Sequence, residues 1–205
     1  MIDSKHIGAN YNFFVFKDEI SVELTQGLLK TTEKLMNTKF SNKNSVSDKL
    51  QAQIYSGEQF SIPEVMIDQS LLSIIEKNID LYIKELSSNT VRRKKSKLSS
   101  FWSVIQRAGD YNTVHYHKGT LSGILYLKVP SEVADETNPN GKLNFIHGER
   151  DFNRLVFNGI RRITPKPGDL YIFPSWLHHT VYPFKGDGDR ISVAFNYDIE
   201  LEEIN

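Results

Sequence analysis

The chain has 205 residues, with 25 lysines and arginines balanced by 25 aspartates and glutamates, so its formal net charge is zero. Without an excess of positive charge, general binding to nucleic acid or to an anionic membrane is not expected. Hydrophobic residues make up 39% and charged residues 24%, which is typical of a folded chain and excludes wholesale disorder. The length suits one domain, since chains usually divide only beyond roughly 250 residues.

Cysteine does not occur in the sequence. Disulfides, thiolate nucleophiles and cysteine-ligated zinc or iron–sulfur sites are therefore excluded, and a metal site would need histidine, aspartate or glutamate. The first residues lack a basic segment followed by an apolar stretch, and no apolar run approaches the roughly 20 residues that cross a bilayer. We expect a cytoplasmic protein that does not contact a membrane.

Residues 1–97 are predicted to form a mainly helical support region. Residues 11–16 read as a short strand, and apolar side chains then recur at helical spacing over about 20–38 and again over 69–87. The basic run at 92–97, Arg-Arg-Lys-Lys-Ser-Lys, reads as a solvated linker loop.

Residues 98–198 have a different sequence pattern, in which short runs of β-forming residues alternate with turns rich in Gly, Pro, Asn and Asp. The predicted strands are 99–106, 112–116, 121–129, 142–146, 160–164, 170–173, 179–182 and 191–197. Eight strands is the number in a jelly roll. We predict a single, mainly β domain over 1–205. Its catalytic core, 98–198, would be a cupin-like double-stranded β-helix whose larger sheet is covered on its outer face by the N-terminal helices.

Histidines supply the first chemical signal. His115 and His117 flank a single residue, so a strand places both imidazoles on one face. The pair His178 and His179 begins a later strand that can lie beside the first. Period-two alternation puts His179 on the face of Val181 and His178 on the opposite face. We therefore predict that His115, His117 and His179 bind a divalent metal and that His178 does not.

The last predicted strand supplies the second signal, because one of its faces carries Arg190, Ser192 and Asn196. An arginine offers a bidentate fork to a carboxylate, and the serine hydroxyl lies beside it. On another strand, the hydroxyl of Tyr126 could reach the same carboxylate. The pattern indicates a carboxylate-binding pocket, and a solvent-exposed polar face is the alternative interpretation.

Together these motifs resemble the Fe(II)/2-oxoglutarate-dependent dioxygenases, in particular prolyl-hydroxylase-like enzymes and related phage and bacterial branches. That family has His-x-Asp/Glu, then a distant His, then Arg-x-Ser. The matching segments here are 115–117, 173–183 and 190–192, with Arg190 following His179 by 11 residues. The segment 122–127, Ser-Gly-Ile-Leu-Tyr-Leu, resembles the strand whose tyrosine assists the cosubstrate.

The resemblance implies that Fe(II) is bound by His115, His117 and His179. His117 stands where the family has a carboxylate ligand, so the protein would give the iron three neutral imidazoles instead of two imidazoles and one negative charge. Asp110 is a conceivable carboxylate substitute, although it lies in a predicted turn.

The resemblance also implies that 2-oxoglutarate chelates the iron and that its far carboxylate pairs with Arg190, assisted by Ser192 or Tyr126. O2 would then hydroxylate a primary substrate with release of succinate and CO2. The expected substrate is a protein or peptide side chain, with proline among the candidates, or a small molecule. Nucleic acid is a less favoured partner. Asn112 and Trp176 are candidates for contacts with the substrate.

Two alternatives remain. The same residues partly match the cupins, which share the jelly roll, so a cupin-type three-histidine metalloenzyme is one of them. However, the glutamate that cupins carry shortly after the second histidine is missing, and Arg190 and Ser192 have no cupin role. The other alternative is a non-catalytic jelly-roll binding protein, for which the replacement by His117 is the best support.

Overall fold

The structure is a computed structural model that describes residues 6–7, 15–46, 52–146 and 159–204. Its elements in chain order are β1 (His6–Ile7), β2 (Val15–Glu19), α1 (Val22–Leu35), α2 (Lys39–Lys43), β3 (Ala52–Gln53), β4 (Glu58–Ser61), a 3-10 turn (Glu64–Met66), α3 (Gln69–Leu86), β5 (Val91–Gln106), β6 (Tyr111–His115), β7 (Leu121–Lys128), α4 (Ser131–Ala134), β8 (Leu143–Ile146), β9 (Ile160–Ile163), β10 (Asp169–Pro174), β11 (His179–Val181) and β12 (Arg190–Glu203).

The strands form two antiparallel sheets. The larger sheet has the order β1-β2-β10-β7-β12-β5-β4, and the smaller one has the order β3-β6-β11-β8-β9. The strands from β5 to β12 correspond to the eight predicted from the sequence. They divide between the sheets as β5, β12, β7 and β10 against β6, β11, β8 and β9, which is the arrangement of a jelly roll. The predicted double-stranded β-helix is confirmed.

The two long helices cover the outer face of the larger sheet, as predicted. Each begins at a capping side chain: Ser21 accepts from the backbone N–H of Leu24, and Asp68 accepts from that of Ser70. Their apolar faces belong to one buried cluster with the outward side chains of the sheet, which includes Leu28, Leu71, Ile75, Ile79, Phe101, Phe195 and Tyr197. Among the described residues, no helix combines the length and the apolar character needed to cross a membrane.

The N-terminal region is less purely helical than predicted. The strand expected at residues 11–16 is β2, which begins at Val15, and residues 11–14 lie outside the described part of the chain. β2 pairs with β10 at one side of the larger sheet, and β4 pairs with β5 at the other. The region therefore contributes strands to the jelly roll as well as the helical layer.

The prediction of a linker loop at residues 92–97 is wrong, because the whole run lies in β5. Acidic residues remote in sequence form ion pairs with three of its five basic side chains. Arg92 contacts Glu202 at 2.6 Å and Lys94 contacts Glu200 at 2.8 Å, both across the pairing of β5 with β12. Arg93 reaches Asp80 of α3 at 2.7 Å. Opposite charges that face each other across paired strands stabilise the pairing. The basic run by itself does not predict a strand, because these acidic partners are far away in the sequence.

Candidate active site

Three histidine side chains meet between the two sheets. His115 ends β6, His179 begins β11, and the two are direct cross-strand neighbours. His117 lies two residues beyond the end of β6. One ring nitrogen from each of the three lies within 4.8 Å of the others, a separation that a single bound metal ion can bridge. The structure thus brings together the three histidines selected from the sequence.

Hydrogen bonds to the His115 and His179 rings leave one nitrogen of each ring free to coordinate a metal ion. Nδ1 of His115 lies 2.7 Å from the carbonyl oxygen of Thr113, and Nδ1 of His179 lies 2.9 Å from that of Leu177. A carbonyl only accepts, so each Nδ1 carries the proton and each Nε2 keeps its lone pair. Such support from a backbone carbonyl is typical of metal-binding histidines.

His117 is held differently, because it lies beyond the strand. Its backbone N–H donates to the carbonyl of Ser175 at 2.9 Å, and its ring packs edge-on against Trp102 with the ring centres 5.6 Å apart. The hydroxyl of Ser175 is 2.9 Å from that of Ser122, which donates to Oδ1 of Asn196 at 2.7 Å. The segment that positions His117 is therefore tied to β7 and β12.

Burial favours the neutral form of all three rings. Desolvation and the neighbouring His115 lower the pKa of His117 to about 4. Desolvation likewise lowers the pKa of His115 and brings that of His179 well below the ordinary value of histidine. At neutral pH the three imidazoles are unprotonated, which is the state that a metal ion requires.

Two other sequence candidates lie apart from this cluster. His178 is exposed, and its ring contacts that of Tyr116 at a tilt of 50°, with the centres 5.3 Å apart. Asp110 is buried, and its carboxylate accepts from the backbone N–H groups of Arg107 and of residues 55–57. That carboxylate stabilises the turn before β6, so its role as a substitute metal ligand is not supported.

Arg190 lines the same cavity as the histidines. His117 packs on Trp102, which pairs with Ala194, and Arg190 lies four residues from Ala194 along β12, so it marks the other end of the cavity. The side chain is 2% exposed, and Nη1 donates to the carbonyl of Gly141 at 2.6 Å. Nε has no hydrogen-bond partner. Burial lowers the pKa of Arg190, but a guanidinium stays protonated in proteins. The cavity therefore ends at a buried cation with unused donor capacity.

Tyr126 and Ser192 lie beside this cation. They are direct neighbours across the pairing of β7 with β12, and both are buried. The hydroxyl of Tyr126 has no hydrogen-bond partner, and burial raises its pKa to about 12, so it remains a neutral donor. Ser192 lines the cavity. The three residues selected as a carboxylate site are thus adjacent.

Gln106 is a functional candidate that sequence reasoning missed. It is the cross-strand neighbour of Arg190, is fully buried, and donates through Nε2 to Oδ1 of Asn112 at 2.7 Å. Asn112 lines the cavity, whereas Trp176 is 59% exposed on the loop before β11. Alternation along β5 could have placed Gln106 on the inner face, but only the strand pairing shows that Arg190 is its neighbour.

Between its two ends the cavity is narrow, about 50 Å³, and mainly apolar. Its walls are formed by Trp102, Val104, Gly123, Ile124, Leu143, Phe173, Val181 and Ala194. A molecule with a chelating group at one end and a carboxylate at the other would match the donors available.

Comparisons with known proteins agree with this geometry. Residues 100–196 match the model of a family described as "Putative 2OG-Fe(II) oxygenase". A search of curated protein sequences found no match.

Solved structures share the fold. A prolyl-4-hydroxylase from Pseudomonas putida is 15% identical, with a TM-score of 0.59 over 92% of this chain and 94% of that one. The viral collagen prolyl hydroxylase of Paramecium Bursaria Chlorella virus-1, in complex with 2OG, is 16% identical, with a TM-score of 0.55 over 89% and 94%. HygX from Streptomyces hygroscopicus, with nickel, 2-oxoglutarate and hygromycin B bound, is 12% identical, with a TM-score of 0.57 over 92% and 83%.

Proposed function

Residues 100–196 belong to the 2OG-Fe(II) oxygenase family, and on this premise we propose that the protein is an Fe(II)- and 2-oxoglutarate-dependent dioxygenase that hydroxylates its substrate. His115, His117 and His179 would hold the iron, since imidazole is a suitable ligand for Fe(II). The observation that carries the proposal is the buried guanidinium of Arg190 in the cavity of the three histidines. A site that bound only a metal ion would not require a buried guanidinium in the same cavity.

The charges favour a dianionic cosubstrate. Three neutral imidazoles leave the full charge of the metal uncompensated, and Arg190 adds a further positive charge at the other end of the cavity. One carboxylate of 2-oxoglutarate would face each of these two positive centres, so the dianion would offset most of their combined charge. Ser192 and the unpartnered hydroxyl of Tyr126 add neutral donors beside the guanidinium.

The chain's own residues would bind, orient and protect the reactants. Bound Fe(II) supplies the chemistry that couples oxidative decarboxylation of 2-oxoglutarate by O2 to hydroxylation of the substrate, with succinate and CO2 as products. The Nδ1 bonds of His115 and His179 fix the orientation of their rings. Arg190 sets the direction of the cosubstrate, and the apolar walls of the cavity limit access of water.

For the primary substrate, we propose a protein or peptide side chain, with proline as the first candidate and a small molecule as the second. Two of the similar structures are prolyl hydroxylases, and the third holds hygromycin B. The exposed rings of Tyr116 and Trp176, next in sequence to the histidine segments, offer contact surface for such a substrate.

The second candidate function is a cupin-type metalloenzyme or a non-catalytic jelly roll. His117 favours it, because this residue replaces the family's carboxylate ligand. Such a protein could keep the metal but would not depend on Arg190.

Arg190 therefore provides the test. The protein is loaded with Fe(II) under nitrogen and titrated with 2-oxoglutarate while the metal-to-ligand charge-transfer band is followed. A charge-assisted hydrogen-bond pair contributes about 1.5 to 3 kcal/mol, so Arg190→Ala should weaken binding by roughly ten- to a hundredfold. Arg190→Lys should recover only part of this loss, because an ammonium does not reproduce the fork. Metal content should stay the same.

Admission of O2 then distinguishes the alternatives. The wild type should release succinate from 2-oxoglutarate even without its primary substrate. Equal affinities of the wild type and Arg190→Ala would falsify the assignment of the pocket. Metal binding without 2-oxoglutarate binding would favour the second candidate function.

A further inference from the structure

Arg190 and Asn112 line the arginine end of the cavity, and Tyr126 and Gln106 are their direct neighbours. These residues hold buried polar atoms without partners. They are Nε of Arg190, the hydroxyl of Tyr126 and Oε1 of Gln106. Buried polar atoms are nearly always hydrogen-bonded, so three on neighbouring residues need an explanation. Two of the three are donors, which indicates that an anion belongs here.

The amide of Asn112 is oriented to add a further donor. Its Oδ1 accepts from Nε2 of Gln106 at 2.7 Å. This bond uses the carbonyl side of the amide and leaves the Nδ2 group directed away from Gln106. The backbone of Asn112 is also fixed, because its carbonyl accepts from the hydroxyl of Thr180 at 2.7 Å. Asn112 thus presents its amide to the cavity from a rigid strand.

Gln106 connects this amide to the guanidinium. It stands opposite Arg190 in the pairing of β5 with β12. Its Nε2 donates to Asn112, and its Oε1 has no hydrogen-bond partner. The reversed orientation would turn the Gln106 donors towards Arg190 and the carbonyl of Asn112 towards a bound anion, and both changes are electrostatically unfavourable.

We propose that Asn112 donates through Nδ2 to the far carboxylate of 2-oxoglutarate and that Gln106 is a positioning residue that holds the Asn112 amide in this orientation. The inference rests on the proposed function and assigns two residues to cosubstrate selection. It makes this part of the cavity selective for a 2-oxo acid with a second carboxylate.

The experiment compares two ligands. 2-Oxoglutarate and 2-oxopentanoate have the same five-carbon 2-oxo acid skeleton, but only the first has a far carboxylate. Their affinities are measured by anaerobic titration of the Fe(II)-loaded full chain, following the charge-transfer band. The variants are Asn112→Leu, which removes the donor, and Gln106→Leu, which releases the Asn112 amide.

Asn112→Leu should weaken 2-oxoglutarate binding by about ten- to a hundredfold, the range for loss of a hydrogen bond to a charged group, and Gln106→Leu by about three- to tenfold. Binding of 2-oxopentanoate should change less than about twofold in both, because its terminal methyl group accepts no hydrogen bond there. The matched control is Gln59→Leu. Gln59 is also a buried glutamine, but neither polar atom of its amide has a hydrogen-bond partner, whereas Gln106 bonds Asn112. Replacement of Gln59 should therefore leave both affinities unchanged.

The possible results distinguish failure of the roles of Asn112 and Gln106 from failure of the proposed function. An unchanged affinity for 2-oxoglutarate, or an equal loss for both ligands, overturns the roles of Asn112 and Gln106 while the proposed function stands. Failure of the wild type to bind 2-oxoglutarate overturns the proposed function and the inference with it. If a leucine variant does not fold, the nearly isosteric Asn112→Asp and Gln106→Glu replace it. Each should weaken 2-oxoglutarate binding more than 2-oxopentanoate binding, and equal losses overturn the inference.

Discussion

The two ends of the cavity are stabilised in different ways. At the histidine end, formed by His115, His117 and His179, two of the rings bond carbonyls only two residues earlier in the chain. At the arginine end, Arg190 bonds the carbonyl of Gly141, which is 49 residues away. Several buried polar atoms there have no partner at all.

Two of the three rings at the histidine end are thus oriented by carbonyls close in the chain, whereas His117 and the arginine end depend on distant segments. The His115 and His179 rings at the histidine end are oriented before a metal binds. The donors at the arginine end lie close together but lack hydrogen-bond acceptors, which a bound anion would supply. Substitutions should therefore separate metal binding from cosubstrate binding.

The largest effect is expected at the histidine end. His179→Ala removes one of three proposed ligands and should weaken Fe(II) binding by more than the roughly 10- to 100-fold typical of losing a residue that only supports a ligand. His178→Ala is the matched control, because this neighbouring histidine is exposed and its ring contacts Tyr116. Anaerobic Fe(II) titration checks both. Loss of metal binding in His178→Ala with retention in His179→Ala would mean that the assignment of the two histidines is reversed.

A smaller effect is expected at the arginine end. Gly141 has φ +61°, and a Cβ there would lie 2.5 Å from a methyl carbon of Val133. Gly141→Ala should lower the free energy of unfolding by about 1 to 3 kcal/mol, because it combines overpacking with an unfavourable backbone conformation. It should also weaken 2-oxoglutarate binding, since Arg190 bonds this carbonyl, while Fe(II) affinity should be unchanged.

The control for this variant is Gly27→Ala in α1, where an added Cβ has no atom within 4 Å. Alanine is the better helix former, so this change should stabilise the protein by roughly 0.5 to 1 kcal/mol. Urea denaturation measures both changes. A parallel loss of Fe(II) and 2-oxoglutarate affinity in Gly141→Ala would show that the two ends are not independent.

The smallest effect concerns His117, the one histidine of the cluster that lies beyond a strand. Ser122→Ala removes the hydroxyl that joins Ser175 to Asn196. The expected loss of stability is about 1 kcal/mol, and the Fe(II) affinity should fall by up to about fivefold if that loss acts on His117. The exposed Ser99→Ala is the control. An unchanged affinity in Ser122→Ala would show that the backbone bond to Ser175 positions His117 by itself.

Much of the fold could be predicted from the sequence. The eight strands of the jelly roll follow from alternating apolar residues and turn signals, and the helix starts follow from local capping at Ser21 and Asp68. The choice of His179 over His178 follows from the same alternation, because neighbouring side chains in a strand point to opposite faces. Each of these features depends on residues close together in the chain.

Other features required the tertiary structure. The basic run at 92–97 is a strand because Glu200, Glu202 and Asp80 lie beside it. Asp110 is structural because the N–H groups of residues 55–57 converge on its carboxylate.

Sequence alone selected the residues that the structure brings into one cavity: three histidines and an arginine at spacings that resemble a known family. Tertiary structure alone decided how the arginine end is built, since Gln106 meets Arg190 only through the pairing of β5 with β12. The physical reason is that alternation and capping act between near neighbours. A buried hydrogen bond or ion pair can instead join any two segments that the packing of the sheets brings together.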